Sequence, residues 1–94
     1  MKLVTPIHPG KLLRIELEAR KVSANSLARA LRVPPGRIID ILNGKRSISA
    51  ETALRLGRYF GNGGRFWLAL QVRYDLACVE RASGAQIARE VAAA

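Results

Sequence analysis

Residues 23–42 hold two short helical patterns, separated by a break with room for no more than a tight turn. In the first pattern Ser23 is the expected N-cap, and Leu27 and Leu31 lie four residues apart, so the two leucine side chains share one face of a helix. Because a proline removes a helical hydrogen bond, the first helix must end before Pro34, while Pro35 suits the opening position of the next helix. Two helices joined so closely must pack against each other at a steep angle.

The second of these helices places branched apolar side chains on one face, at Ile38, Ile41 and Leu42. Ala28 is the small residue at the point where the two helices would cross, and Val33 falls in the turn. A small side chain lets the helices approach closely, while branched side chains fix the angle of the second helix. The pattern is that of a helix-turn-helix, whose second helix enters the major groove of DNA.

End signals and helical spacing predict two further helices on either side of this segment. One runs from Pro9 to about Arg20, and the other runs from about Ala50 to Phe60, with Ser49 as its N-cap. No stretch of the chain alternates with a period of two residues, so we expect no sheet. The fold class predicted is therefore all-α.

A fifth helix is predicted over residues 66–79, and Ser83 and Gly84 are expected to interrupt it. The sequence thus predicts one domain over residues 1–80, followed by a tail at 81–94 that could form a frayed helix.

The fifth helix carries two apolar stripes where a surface helix needs only one. The first holds the expected core anchors Phe66 and Trp67, together with Leu70, Tyr74, Ala77 and Cys78. The second holds Leu68, Ala69, Val72, Leu76 and Val79, and Gln71, Arg73 and Asp75 separate the stripes. Since two apolar faces imply two partners, we predict a homodimer whose interface comprises Leu68, Val72, Leu76 and Val79.

Basic residues outnumber acidic ones, and most of the excess lies in the first half. Lys and Arg number 16 against 7 Asp and Glu, giving a net charge of +9. Residues 1–46 alone hold ten basic and three acidic side chains. Such a balance suits a polyanionic partner, with nucleic acid ahead of an anionic membrane. We therefore expect double-stranded DNA to meet the half that contains the helix-turn-helix.

The outward face of the second helix would meet the bases. Arg37 could reach guanine O6 and N7, and Ile39 could touch a thymine methyl. Each also has an ordinary explanation: Arg37 as a surface arginine, and Ile39 as a half-buried residue on the flank of the helix. Lys45 and Arg46, just past the helix, suit phosphates. The predicted DNA-binding residues are Ser23, Asn25, Pro35, Gly36, Arg37, Ile39, Asp40, Asn43, Lys45 and Arg46.

The composition excludes most enzymes and metal proteins. Cys78 is the only cysteine and His8 the only histidine, so no internal disulfide and no paired cysteine or histidine metal site can form. No catalytic triad or glycine-rich phosphate loop can be assembled, and we expect no catalytic residue, metal or cofactor. Without a signal-peptide stretch or a run of roughly 18 apolar residues, a cytoplasmic protein with no membrane partner is predicted.

Short strings spread in order over residues 7–76 carry a resemblance to a known family. They are Ile7-His8-Pro9-Gly10, Leu27-Ala28-Arg29-Ala30-Leu31, Val33-Pro34-Pro35-Gly36-Arg37-Ile38, Ile41-Leu42-Asn43-Gly44-Lys45-Arg46, Thr52-Ala53-Leu54-Arg55-Leu56, and Phe66-Trp67-Leu68-Ala69-Leu70-Gln71 with Tyr74-Asp75-Leu76. The chain resembles the HigA-type, VapI-like antitoxins within the Xre/lambda-repressor-like helix-turn-helix family. The resemblance implies a five-helix lambda-repressor-like bundle and a dimeric repressor on a palindromic operator. It also implies a HigB-type toxin partner, a ribosome-dependent mRNA endonuclease.

Three positions depart from that family's usual pattern. Arg32 stands at a turn position where relatives usually carry Gly, and a left-handed backbone there would cost about 1 kcal/mol. Gly36 and Ile39 occupy outward positions where relatives commonly carry polar or basic residues. Phosphate contacts would then supply a larger share of the affinity for DNA.

Two other functions fit the same residues. A solitary Xre-family regulator without a toxin would need nothing more than repression. A protein-binding inhibitor that does not bind DNA is the other alternative, although Arg37, Lys45 and Arg46 at the ends of the recognition helix argue against it. A short, basic, toxin-like reading frame beside the gene would favour the antitoxin.

Overall fold

Five α-helices form the structure, a computed structural model that describes residues 5–94. They are α1 (Pro9–Arg20), α2 (Ala24–Leu31), α3 (Pro35–Leu42), α4 (Ala50–Phe60) and α5 (Gly64–Glu90). No β-strand occurs within residues 5–94, and the predicted all-α fold of five helices is confirmed. The first four residues of the predicted 1–80 domain lie outside the described part of the chain.

Side-chain caps begin three of the helices. Ser23 Oγ accepts the backbone N–H of Ser26 at 3.1 Å, and Ser49 caps α4 in the same way, as predicted for both serines. At the start of α1, His8 Nδ1 accepts the N–H of Gly10 at 2.9 Å. Each cap satisfies one of the backbone donors that a helix leaves unpaired at its first turn.

The core draws side chains from all five helices and from the segment between α3 and α4. Its largest fully buried side chains are Leu13, Leu27, Ile38, Ile41, Ile48, Leu56 and Trp67. Ala28 is fully buried as well, as the helix-turn-helix pattern requires. Burying a large apolar side chain contributes about 1.5–3 kcal/mol, so this cluster fixes how α3 sits on the rest of the protein.

A glycine lets α1 come close to α3. A side-chain carbon added to Gly10 would collide with the carbonyl oxygen of Ile41, near the end of α3. The backbone of α1 therefore lies directly against α3, which helps to orient α3.

The turn between α2 and α3 contains a left-handed arginine. Arg32 has φ 61° and ψ 44°, and its N–H bonds to the carbonyl oxygens of the last turn of α2. The strain anticipated for a non-glycine residue at this position is therefore present. Lys21 closes α1 with the same backbone conformation, at φ 56°.

α5 is longer than predicted, since Ser83 and Gly84 do not interrupt it and the helix continues to Glu90. Glycine inside a helix costs only about 1 kcal/mol relative to alanine, and the residues after it are mostly good helix formers. The expected break was wrong because neither residue is followed by a proline or by a left-handed turn.

The buried face of α5 also differs in detail from the predicted stripes. Trp67 is fully buried, but Phe66 is 42% exposed and packs edge-on against Trp67, so the prediction that both anchor the core was wrong for Phe66. Gln71, predicted to separate the stripes, is instead buried. The side of α5 that faces the core is therefore centred between Trp67 and Gln71, and not between Phe66 and Trp67 as predicted.

Tyr74 joins α5 to the segment that precedes α1. Its ring packs edge-on against His8, with ring centres 4.9 Å apart. A hydrogen bond with the Cys78 side chain raises the pKa of Tyr74 above its ordinary value, with the charges of Cys78 and Asp75 and partial burial acting in the same direction. The packing of Tyr74 on His8 ties α5 to the residues that lead into α1.

Candidate nucleic-acid interface

α3 shows two contrasting faces. Ile38 and Ile41 are completely buried against α1 and α2, as predicted for the inward side. On the outward side Gly36 and Asn43 are exposed, and Ile39 is 42% exposed. The exposed face of α3 is therefore flat near the start of the helix, because Gly36 has no side chain.

The residues predicted to contact DNA lie at the start of α2, along α3 and in the turn after α3. The exposed residues are Ser23, Asn25, Pro35, Gly36, Ile39, Asn43, Lys45 and Arg46, while Arg37 and Asp40 are half-buried. The outer face of α3 thus lies between the N-terminus of α2 and the basic turn after α3. This arrangement fits a DNA groove bordered by phosphates.

Arg37 is engaged within the protein. Its Nη1 donates to Glu51 Oε1 of α4 at 3.2 Å, and 27% of its side chain is exposed. Glu51 was not among the residues predicted to form the interface. Its four-residue spacing from Arg55 was a detectable sign of an ion pair within α4, but nothing in the spacing pointed to Arg37.

Asn43 is also held by a neighbouring helix. Arg14 Nη2 of α1 donates to Asn43 Oδ1 at 3.2 Å and to the carbonyl oxygen of Leu42 at 3.3 Å. A cation at the C-terminal end of α3 compensates the partial negative charge of the unpaired carbonyl groups there. Arg14 thus fixes the end of the candidate recognition helix, a role that sequence spacing did not indicate.

Lys45 and Arg46 follow α3 in an exposed turn. The turn is closed by backbone bonds from Lys45 N–H to the Asp40 carbonyl at 2.8 Å and from Gly44 N–H to the Ile41 carbonyl at 3.1 Å. Among the described residues neither Lys45 nor Arg46 forms an ion pair. Two uncompensated cations on a short, hydrogen-bonded turn are suited to phosphate contact.

The N-terminus of α2 offers backbone donors beside α3. Ser23 Oγ is already an acceptor for the Ser26 N–H, and the two hydroxyl oxygens lie 3.0 Å apart. Ser23 and Asn25 are exposed. Because a helix N-terminus carries a partial positive charge, this end of α2 suits an anion such as a phosphate.

The far side of α5 is a separate apolar surface. Val72, Leu76 and Val79 are 49%, 57% and 51% exposed, at alternating spacings of four and three residues. That spacing keeps side chains in line along a helix that pairs with another helix. Leu68, placed in the same predicted interface, is half-buried and packs against the core of its own subunit.

The described residues contain no cluster of three or more His, Cys, Asp or Glu side chains placed to hold a metal ion. Across residues 5–94, no helix combines the length and the apolar character needed to cross a membrane.

The chain matches a family of known regulators. The family model described as helix-turn-helix matches residues 13–67. Virulence-associated protein I of Dichelobacter nodosus is 50% identical over 76 residues, which cover 80% of this chain and 70% of that protein. An addiction module antidote protein of the HigA family from Coxiella burnetii superposes with a TM-score of 0.93 at 48% identity, over 97% of this chain and 100% of its own. The chain belongs to the HigA family of helix-turn-helix antitoxins.

A second HigA-family structure bears on the candidate interface. Pseudomonas aeruginosa antitoxin HigA, solved with the higBA promoter, is 46% identical, with a TM-score of 0.90 over 94% of this chain and 97% of its own. The resemblance inferred from the short sequence strings is confirmed. Proteins of this family regulate by binding, and the chain is accordingly not an enzyme.

Proposed function

We propose that this chain is a HigA-type antitoxin that represses its own operon by binding operator DNA as a dimer, and that it neutralises a HigB-type toxin. The observation that carries the DNA-binding part is the exposed outer face of α3, followed directly by Lys45 and Arg46. The 46% identical Pseudomonas aeruginosa antitoxin, solved with its promoter, supports the same assignment.

In the proposed complex α3 lies in the major groove with its N-terminal end nearest the bases. Arg37 bonds a guanine and Ile39 contacts a thymine methyl, which are the contacts that their side chains can make. Lys45, Arg46 and the N-terminus of α2 bind phosphates and set the register of α3. Gly36 and Asn43 lie close to the groove. The Asp40 carboxylate accepts hydrogen bonds, so it disfavours base edges that present mainly acceptors.

The dimer forms through the far side of α5, with Val72, Leu76 and Val79 at its centre and Leu68 at its edge. A dimer presents two copies of α3 about one helical turn of DNA apart, roughly 34 Å, so its operator is palindromic. Occupation of the operator blocks the promoter. Repression takes place in the cytoplasm, where a toxin that cleaves mRNA on ribosomes would also act.

Fluorescence anisotropy tests the proposed repressor activity. A labelled duplex from the region upstream of the gene is titrated beside a scrambled duplex at ~50 and ~200 mM salt, where phosphate-driven affinity changes steeply. A preference for the upstream duplex that survives the higher salt is expected. Equal binding that collapses with salt would reject the repressor and favour a protein-binding inhibitor.

Coexpression tests the antitoxin activity. The product of the adjacent reading frame is expressed alone and together with this chain, and culture growth and polysome-associated mRNA are followed. Growth arrest and mRNA cleavage that this chain relieves are expected. A neighbouring gene product that neither arrests growth nor copurifies with the chain would leave a solitary regulator as the function.

A further inference from the structure

Glu51, in the first turn of α4, shares one carboxylate oxygen between two arginines. Its Oε1 accepts a hydrogen bond from Arg37 Nη1 of α3 at 3.2 Å and lies 3.8 Å from Arg55 Nε, one turn further along α4. Arg55 Nη1 donates to the carbonyl oxygen of Leu31, the last residue of α2, at 2.9 Å. This series of contacts links α2, α3 and α4 beside the candidate DNA surface.

We infer that Glu51 is a positioning residue for DNA recognition. It holds the Arg37 guanidinium in the orientation in which Arg37 meets a base, and Arg55 holds Glu51 in turn. The inference rests on the proposed function, because the orientation of Arg37 matters to DNA only if α3 enters the major groove.

The first argument is conformational entropy. Arginine has a long, flexible side chain, and fixing it on a partner costs affinity unless it is already fixed in the free protein. Arg37 extends from the first turn of α3, where a freely rotating side chain could also reach phosphates without regard to sequence. The bond to Glu51 restricts Arg37 before DNA arrives, so a larger share of its binding energy depends on the base.

The second argument is that Glu51 leaves Arg37 able to bind. A guanidinium has five N–H donors, and its bond to Glu51 is made through Nη1, so one arginine can bond a carboxylate and a guanine together. Arg55, whose Nε lies 3.8 Å from the same Oε1, offsets the charge of the carboxylate and so lowers its repulsion of DNA phosphates. Glu51 therefore orients Arg37 rather than withholding it.

The test uses Glu51→Gln, which keeps the shape of the side chain and removes its charge. Affinity is measured by anisotropy for the duplex from the region upstream of the gene and for a scrambled duplex. We expect the ratio of the two affinities to fall about fivefold, since an arginine–guanine contact discriminates by at least that factor. The control is Glu16→Gln, which removes the same charge from an exposed pair with Arg20 within α1.

Removal of Arg37 separates positioning from general stabilisation. If Glu51 acts through Arg37, Glu51→Gln changes the affinity ratio in the native chain and leaves it unchanged in an Arg37→Ala background. Circular dichroism confirms that every variant keeps its helical content. Arg55→Lys provides a second perturbation that leaves Glu51 and Arg37 intact, and it is expected to lower the ratio by a smaller factor.

Several results would overturn the inference. An unchanged ratio in Glu51→Gln, an increased ratio, or an equal decrease in the Arg37→Ala background would each show that Glu51 does not orient Arg37. A native chain that binds the two duplexes equally would overturn the proposed repressor as well, whereas discrimination by the native chain with no effect of Glu51→Gln would overturn the positioning role alone.

Discussion

Gln71, in the middle of α5, accepts the backbone N–H of Ile48 at 2.8 Å, although the two residues are 23 positions apart in the sequence. Gln71 is 3% exposed and Ile48 is 2% exposed, so water cannot replace this bond. The Gln71 amide also donates to Asp75 Oδ1 at 3.0 Å, which fixes its orientation. α5 thereby anchors the segment that leads from α3 into α4.

Replacing Gln71 by leucine should destabilise the protein by about 1–3 kcal/mol, the cost of leaving a buried donor unpaired. The control is Gln86→Leu, because Gln86 makes a similar bond to Glu90 at 3.0 Å on an exposed part of α5. Urea denaturation followed by circular dichroism measures both. Equal losses in the two variants would show that the bond to Ile48 adds nothing.

Two glycines at equivalent positions should respond in opposite directions to alanine. Gly10 and Gly36 are each the second residue of a helix, but a Cβ at Gly10 would strike the Ile41 carbonyl, while no atom lies within 4 Å of a Cβ at Gly36. We expect Gly10→Ala to cost about 1–3 kcal/mol through forced backbone displacement. Gly36→Ala should add up to about 1 kcal/mol, because alanine favours the helix. Thermal unfolding of both variants checks the prediction, and a Gly10→Ala protein as stable as the native chain would contradict the close approach of α1 and α3.

The left-handed turn at Arg32 predicts a stabilising substitution. Arg32→Gly should raise the free energy of unfolding by about 0.5–1 kcal/mol, since glycine adopts a positive φ without steric cost. Arg29→Gly, inside α2 and three residues earlier, removes the same charge and should instead cost about 1 kcal/mol. Chemical denaturation distinguishes the two, and a loss of stability in Arg32→Gly would mean that the arginine side chain makes a compensating contact.

The sequence predicted the parts of the fold that depend on local chemistry. Ser23, Pro35 and Ser49 each sit at a helix end, where a serine cap or a first-turn proline acts within three residues of itself. The interior positions of α3 were predictable for a similar reason, since Ile38 and Ile41 share one face of a short helix.

What the sequence missed depends on contacts between distant residues. The bond of Arg37 to Glu51 spans 14 residues and that of Arg14 to Asn43 spans 29, so no periodicity encodes either. Gln71 was predicted to separate the apolar stripes because a polar side chain is usually exposed. Its burial is favourable only because it accepts the Ile48 N–H, a partner that sequence spacing does not reveal. The candidate DNA surface was therefore predictable as a set of positions, but not as a network of held side chains.

Neutralising the turn after α3 should change how DNA binding depends on salt. Lys45→Ala with Arg46→Ala removes two exposed cations, and each lost phosphate contact should lower the slope of log affinity against log salt by ~0.9. Affinity should fall for the upstream and scrambled duplexes alike. Arg81→Ala with Arg89→Ala removes the same charge from the C-terminal part of α5 and should leave the slope nearly unchanged. If the two double variants gave equal slopes, Lys45 and Arg46 would not be phosphate contacts.

An aspartate on the exposed face of α5 should separate the proposed dimer. Val72→Asp or Leu76→Asp places a charge at the centre of an apolar interface, where an unpaired charge costs several kcal/mol or more. Because both side chains are about half exposed within one subunit, each monomer should keep its helical content.

Ile15→Asp is the control, since Ile15 is 61% exposed on α1 and lies outside this face. Sedimentation velocity at micromolar concentration should show monomers for the two α5 variants and dimers for the native chain and the control, with operator affinity falling in parallel. Dimers that persist when Val72→Asp and Leu76→Asp are combined would place the subunit interface elsewhere.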